Sequence, residues 1–176
     1  MSEGTYLSSE DSALLRSVLT RYAGEACLEI GAGNGGGLVE LARGFGLVVG
    51  SDLLRPSTDS WKQAGADFVL ADAASCFREG AFDMVTFNPP YVPSVGIEDV
   101  AVDGGAGGAE VLNHFLGEAM RAVRGDGRIV MLLSSDNPVE SIAQECERRG
   151  FVMKSLSERR LFYETLAVCE VSRLQS

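Results

Sequence analysis

Four short apolar stretches each end on a glycine run or a polar side chain, and this spacing constrains the fold more than any other feature. "ACLEI" (26–30) runs into "GAGNGGG", "LVVGS" (47–51) ends on Asp52, "DFVLA" (67–71) on Asp72, and "FDMVTF" (82–87) on Asn88. Each is short and aliphatic enough to read as a buried strand. "GLVELARGF" (37–45) reads as a helix between the first two, and a short helical piece falls near 57–64. Such alternation predicts an open, mostly parallel sheet covered on both faces. In sheets of this kind ligands bind beyond the carboxyl ends of the strands, where strand order reverses. The glycines, Asp52, Asp72 and Asn88 all fall at those ends.

The rest of the chain extends the pattern. Leu14, Leu15, Val18, Leu19 and Tyr22 give residues 10–22 one apolar helical face, with Ser9 as its N-cap. A Gly-rich segment (92–108) precedes a helix at 109–124 and a fifth strand, "GRIVMLLS" (127–134). Pro138 opens a helix that runs to Arg149 and stops at Gly150. "FVMKSLSERR" and "ETLAVCEV" (164–171) form two last strands. The expected architecture is α/β: a seven-stranded, mostly parallel sheet with a C-terminal antiparallel strand and helices on both faces. With 176 residues, a single domain spanning 1–176 is expected.

Composition removes several function classes. No apolar run approaches membrane-spanning length, and the polar, acidic start "MSEGTYLSSEDS" is neither a signal nor a transit peptide, so a cytoplasmic location is expected. The four cysteines include no CxxC pair and read as reduced structural thiols. With His114 the only histidine, no zinc site or other metal site is expected. A net charge of −10 argues against a dedicated nucleic-acid binder. His114 reads as packing or surface and Trp61 as core in preference to a lid. Arg159 and Arg160 are either solvated or meet an acidic stretch of a partner.

"LEIGAGNGGG" (28–37) places Gly31, Gly33 and Gly36 in a GxGxxG pattern, which permits a tight turn and close approach of a ligand to the backbone. Taken alone it fits a plain strand–helix turn or a pyrophosphate cradle for NAD. Asp52, 19 residues after Gly33, sits where a carboxylate accepts from both hydroxyls of a ribose. Glu29 separates the cofactors further. A carboxylate two residues before the first glycine repels a pyrophosphate but suits the cationic methionine end of S-adenosylmethionine. Asp72 is placed to accept from the adenine amino group, with the Ala73 backbone beside it, or else serves as a cap or turn residue. Together the carboxylates favour S-adenosylmethionine over NAD.

"FNPPYVP" (87–93) supplies the chemistry. The nitrogen of a planar amide or aromatic amine is a poor nucleophile, because its lone pair is delocalised. Two acceptors aimed at its NH₂ hold it in line with a methyl donor. The Asn88 side-chain oxygen is one and the Pro89 carbonyl the other, on a backbone that Pro89 and Pro90 keep extended. The Tyr91 ring packs against the flat group. Positioning of this kind is worth up to ~7 kcal/mol of the barrier, and no strong general base is needed.

These residues resemble the HemK-type N5-glutamine methyltransferases, a Rossmann-like class I S-adenosylmethionine-dependent family, and in particular their short archaeal and eukaryotic form. "EIGAGNG" is similar to the family's E-x-G-x-G-x-G and "FNPPYVP" to its NPPY motif. "TYLSSEDSALL" resembles the opening segment of the short form, "AVDGGAGGAEVLNHFL" its DGG segment and "ERRLFYETLAV" its C-terminal hairpin. The chain departs from the family at Ser8, Asn34 and Val102, and its segment 53–66 is short. The resemblance implies methylation of the glutamine in the GGQ loop of a class 1 translation release factor. It implies S-adenosylmethionine contacts by Ser12, Glu29, Gly31, Asp52, Asp72, Ala73 and Asn88, with Asn88 and Pro89 orienting the amide and Pro90 and Tyr91 shaping its pocket. It also implies a small zinc-binding activator protein, which "DFVLA" would meet as an edge strand. Alternatives are a nucleic-acid amino-group methyltransferase, a non-catalytic S-adenosylmethionine-binding partner and, more weakly, an NAD oxidoreductase.

Overall fold

The computed structural model describes residues 3–89 and 110–174, with residues 3–10 by backbone alone. Pro90, Tyr91, Val102 and the Gly-rich segment lie outside the described residues, as does the Ser8 side chain. The elements run α1 (Glu3–Leu19), β1 (Gly24–Ile30), α2 (Gly36–Leu41), β2 (Phe45–Asp52), α3 (Ser60–Gln63), β3 (Asp67–Leu70) and β4 (Phe82–Phe87). Then follow α4 (Glu110–Ala122), β5 (Val123–Ser134), α5 (Val139–Arg148), β6 (Phe151–Arg160) and β7 (Thr165–Arg173).

One seven-stranded sheet has the order β3-β2-β1-β4-β5-β7-β6. β1 to β5 pair in parallel, and β7 is antiparallel to both β5 and β6. The expected α/β architecture with one reversed C-terminal strand is the one found. The order reverses between β1 and β4, so a crevice opens between their carboxyl ends. Because β7 runs backwards, the β6–β7 turn returns to that same edge of the sheet.

Alternation along the strands builds two cores. Val85, Ile129, Met131 and Leu133 face α4 and α5, with Leu112, Leu116 and Ile142 between them. Met84, Val130 and Leu132 face the other way, against Leu14, Leu15, Val18, Leu38 and Leu41 of α1 and α2. A strand buried on both faces reads as a continuous apolar run, which is why β4 and β5 carry so little polarity.

Three elements, α1, α2 and β5, differ from the sequence reading at their boundaries. α1 begins at Glu3, so Ser9 lies inside the helix and is not its N-cap. The helix stops at Leu19 instead of Tyr22. The Thr20 hydroxyl bonds back to the Ser17 carbonyl (3.0 Å), competing with a further turn, and Tyr22 leaves to donate to Glu170 on β7 (2.5 Å). α2 ends at Leu41, because Phe45 is drawn into β2 opposite Gly24. β5 starts at Val123, across from Phe82, and so takes in the "RGDG" turn, with a register shift between Phe82 and Met84.

Candidate active site

The β1–α2 turn, the β2 end and the β4 end surround a cavity of 310 Å³. Gly31 opens the turn with φ +66°, and a Cβ there would stand 3.1 Å from the Phe115 ring, so conformation and space both require glycine. The Gly31 and Ala32 amides donate to the Ser51 carbonyl (2.8 and 3.1 Å), tying the turn to β2. Asp52 completes the clamp: its Oδ2 accepts from the Gly33 amide and its Oδ1 from the Leu54 amide, both at 2.9 Å. Each oxygen keeps a further lone pair for a ligand hydroxyl.

Asn34 governs the short segment after β2. Its Oδ1 accepts from the Ser57 amide (3.1 Å) and hydroxyl (2.7 Å), and its carbonyl accepts from Thr58 (3.1 Å). Leu53, Leu54 and Ser57 are thereby held against the cavity that they line. Trp61 lies beyond them, its indole N–H on the Thr58 carbonyl (3.1 Å) and its ring beside Phe68, half-buried against the second core. Trp61 thus packs on the core and does not line the cavity.

Asp72 and Ala73 form the far wall. Ala73 is buried with φ 46°, the one non-glycine residue at positive φ among those described. His114 on α4 is exposed at the surface, as its surface reading expects, and its Nε2 lies 2.7 Å from Oδ1 of the cavity-lining Asp72. One residue on, Phe115 lines the cavity and meets Phe87 edge-on at 5.9 Å.

Asn88 follows the last residue of β4, at the reversal point of the sheet. It lines the cavity, and its Oδ1 is buried without a hydrogen-bond partner among the described residues. A buried acceptor in that state costs about 1–3 kcal/mol until something donates to it. Pro89 beside it is also buried.

Glu29 sits deeper, outside the cavity lining. It accepts from the Leu38 backbone, and a Cβ on Gly37 would come within 2.0 Å of its Oε1, so only glycine fits above it. Burial pushes its pKa up to about 8, against the opposing pull of the Arg16 charge. Glu29 Oε2 has no partner among the described residues. A cation arriving nearby would favour its ionised form, whereas a pyrophosphate would meet no compensating charge from it.

Comparison with known proteins gives the arrangement a context. The chain matches no family model. It is 28% identical over 184 residues to a Methanocaldococcus jannaschii protein provisionally named a protein N5-glutamine methyltransferase, spanning 96% of this chain and 92% of the relative. It is 29% identical over 198 residues to methyltransferase HEMK2 of Mus musculus, spanning 96% and 89%. Among solved structures it superposes with TM-score 0.77 and 25% identity on the E. cuniculi Mtq2–Trm112 complex, described as responsible for methylation of the eRF1 translation termination factor, over 94% of this chain and 96% of that one. Over nearly its whole length the chain resembles HemK-type methyltransferases, and its fold is that of the class I methyltransferases.

In this chain the fold gathers Gly31, Gly33, Asp52, Asp72, Ala73 and Asn88 around one cavity. Ser12 on α1 and Glu29 under α2 do not line it. Pro90 and Tyr91 lie outside the described residues. Sequence reasoning missed Phe115, Leu53 and Leu54 as lining residues and His114 as the partner of Asp72. Phe115 had a signal, since it stands three residues after Leu112 on the apolar face of α4. His114 had none, because only the packing of α4 on β4 brings it opposite the end of β3.

Proposed function

We infer that the protein transfers a methyl group from S-adenosylmethionine to the side-chain amide nitrogen of a glutamine, in the GGQ loop of a class 1 translation release factor. The observation that carries this reading is Asn88: a buried, cavity-facing carboxamide oxygen lacking a donor among the described residues, placed at the reversal point of a methyltransferase sheet. A glutamine amide brings the missing N–H.

The cavity suits the cofactor by the chemistry of its lining. Asp52 accepts from the ribose hydroxyls with the lone pairs that the turn leaves free. Asp72 accepts from the adenine amino group, backed by His114, and Ala73 supplies its backbone. Gly31 and Gly33 let the backbone approach, while Glu29 and Ser12 serve the charged methionine end. Bound there, S-adenosylmethionine supplies a sulfonium-activated methyl group.

The chain's own residues do the positioning. Asn88 Oδ1 accepts one amide N–H and the Pro89 carbonyl accepts the other, which fixes the plane of the amide and aims its nitrogen. By the family resemblance, Pro90 and Tyr91, which lie outside the described residues, shape the pocket for the flat group. A nitrogen–carbon bond forms as the sulfur–carbon bond breaks. The extra proton on nitrogen becomes acidic and leaves to solvent, so no strong base is required of Asn88.

The protein acts as one domain in the cytoplasm, with a small zinc-binding activator as partner. β3, four residues long, is one edge of the sheet, and Leu53, Leu54 and Leu70 beside it are 57, 63 and 53% exposed. An apolar edge of that kind favours a covering protein. The net charge of −10 weighs against nucleic acid as substrate.

The deciding experiment incubates the protein, with and without its activator, with methyl-labelled S-adenosylmethionine and either release factor or duplex DNA. Label on the release factor that disappears when the GGQ glutamine is changed to alanine is the expected result. Label on DNA alone would overturn the reading.

A further inference from the structure

We propose that the β6–β7 turn is a docking surface for the protein substrate, with Phe162 and Tyr163 as apolar anchors and Arg159 and Arg160 as their charged rim. The proposal rests on the reading of the substrate as a protein glutamine.

Phe162 and Tyr163 are each 91% exposed, whereas every other exposed large apolar residue among those described is at 63% or less. Their rings meet edge-on at 4.7 Å, so they form one patch. The turn that carries them is firmly held. Leu161 packs on the second core, its amide donates to the Glu164 carbonyl (2.8 Å), and the Glu164 carboxylate accepts from the Ser134 hydroxyl. The Ser135 amide donates to the Thr165 carbonyl (2.8 Å) and the Thr165 amide to the Ser135 hydroxyl (3.0 Å). Rings fixed on such a turn lose little freedom on binding, which is what makes exposed aromatics effective anchors.

The patch stands on the edge of the sheet that carries Asn88. β4 lies beside β5, β5 beside β7, and the β6–β7 turn follows directly beyond Ser134 at the end of β5. At ~4.8 Å per strand step, the turn is displaced across the sheet from Asn88 by ~10–15 Å. That is too far to touch the reacting glutamine and suited to the protein surface around it. A cavity of 310 Å³ shared with a cofactor has room for little more than one side chain. Recognition of a folded substrate must therefore come from outside it.

Arg159 and Arg160 are exposed and make no ion pair among the described residues, on a chain of net charge −10. They suit an apolar contact with acidic neighbours on the partner. Two rings expose roughly 150–250 Å² each at most, well short of the ~800 Å² per partner of a stable dimer, so a second copy of this chain is the poorer occupant.

The test compares the parent protein, with activator present, against Phe162→Ser/Tyr163→Ser, Tyr163→Ser and Arg159→Ala/Arg160→Ala. It measures methyl transfer to release factor, S-adenosylmethionine affinity, thermal midpoint and oligomeric state. The ring variants should raise KM for release factor ~10-fold or more, change kcat less than ~2-fold and leave cofactor affinity and thermal midpoint unchanged. The arginine variant should raise KM ~3-fold and weaken its salt dependence. Unchanged KM in the ring variants with an active parent would overturn the docking assignment and leave the proposed function standing. A dimer abolished by the ring substitutions would give the surface to a second copy and overturn it too. A parent that binds S-adenosylmethionine but transfers no label to release factor would overturn the proposed function, and the docking assignment with it.

Discussion

Glu29 and Asn88 each carry a buried oxygen without a partner among the described residues, yet they ask for different tests. Glu29 has a pKa raised to about 8 from an ordinary 4.5, chiefly by burial. Between those two values the folded chain holds a proton that the unfolded chain has released. Its contribution to stability is therefore complete below about 4.5, falls as pH rises, and is lost above about 8. Glu29→Gln keeps an oxygen for the Leu38 amide and removes the titration. Urea midpoints at several pH values should show the variant gaining on the parent by about 1.4 kcal/mol per pH unit across that window, then no further. Asn88→Ala asks about turnover instead. Cofactor affinity should stay within ~1–2 kcal/mol of the parent by calorimetry, while single-turnover methyl transfer falls ~100-fold or more. Undiminished turnover would remove Asn88 from the chemistry.

Among elements, β4 was legible to the residue because nothing competes with it: six apolar-rich positions bounded by Gly80 on one side and prolines on the other. The ends of α1, α2 and β5 were not legible, because distant partners decide them. Tyr22 leaves α1 for Glu170, Phe45 leaves the α2 turn to pair with Gly24, and Val123 joins β5 opposite Phe82. Asp83 shows how the amino ends of the strands are tied. Its Oδ2 accepts from the Glu25 and Ala26 amides (2.7 and 2.8 Å), and its Oδ1 takes the Arg124 guanidinium (2.6 Å), joining β1, β4 and β5 far from the cavity. Asp83→Ala strands two amides and a cation. It should cost about 2–4 kcal/mol in denaturant unfolding while cofactor affinity in the folded fraction is unchanged. Leu70→Lys tests the opposite kind of element. On the exposed sheet edge it should leave the thermal midpoint unchanged and abolish capture of the activator in a co-purification assay.

For the molecule as a whole, the sequence carried the side of the sheet on which the site lies, since a glycine run or a polar residue follows each of four strands on one edge. It did not carry which helix residues close over that edge. His114 meets Asp72 across 42 positions of sequence, a distance no local pattern spans. Charge also acts at this scale. A chain of net charge −10 repels itself when compact, and screening relieves that. Raising NaCl from about 0.05 to 0.5 M should lift the thermal midpoint by roughly 2–4 °C, the shift that ~1 kcal/mol produces in a chain of this size.

The reversal of β7 has a consequence for how such a protein can change over generations. It brings the 161–164 turn round to the working edge, while Asp83 and the Tyr22–Glu170 contact secure strands and helix away from the cavity. Residues at the turn tip project into solvent and support no other part of the molecule, so they can be exchanged one at a time. A lineage could thus acquire a taste for a new client protein by altering Phe162 and Tyr163, leaving untouched the pocket that its chemistry needs.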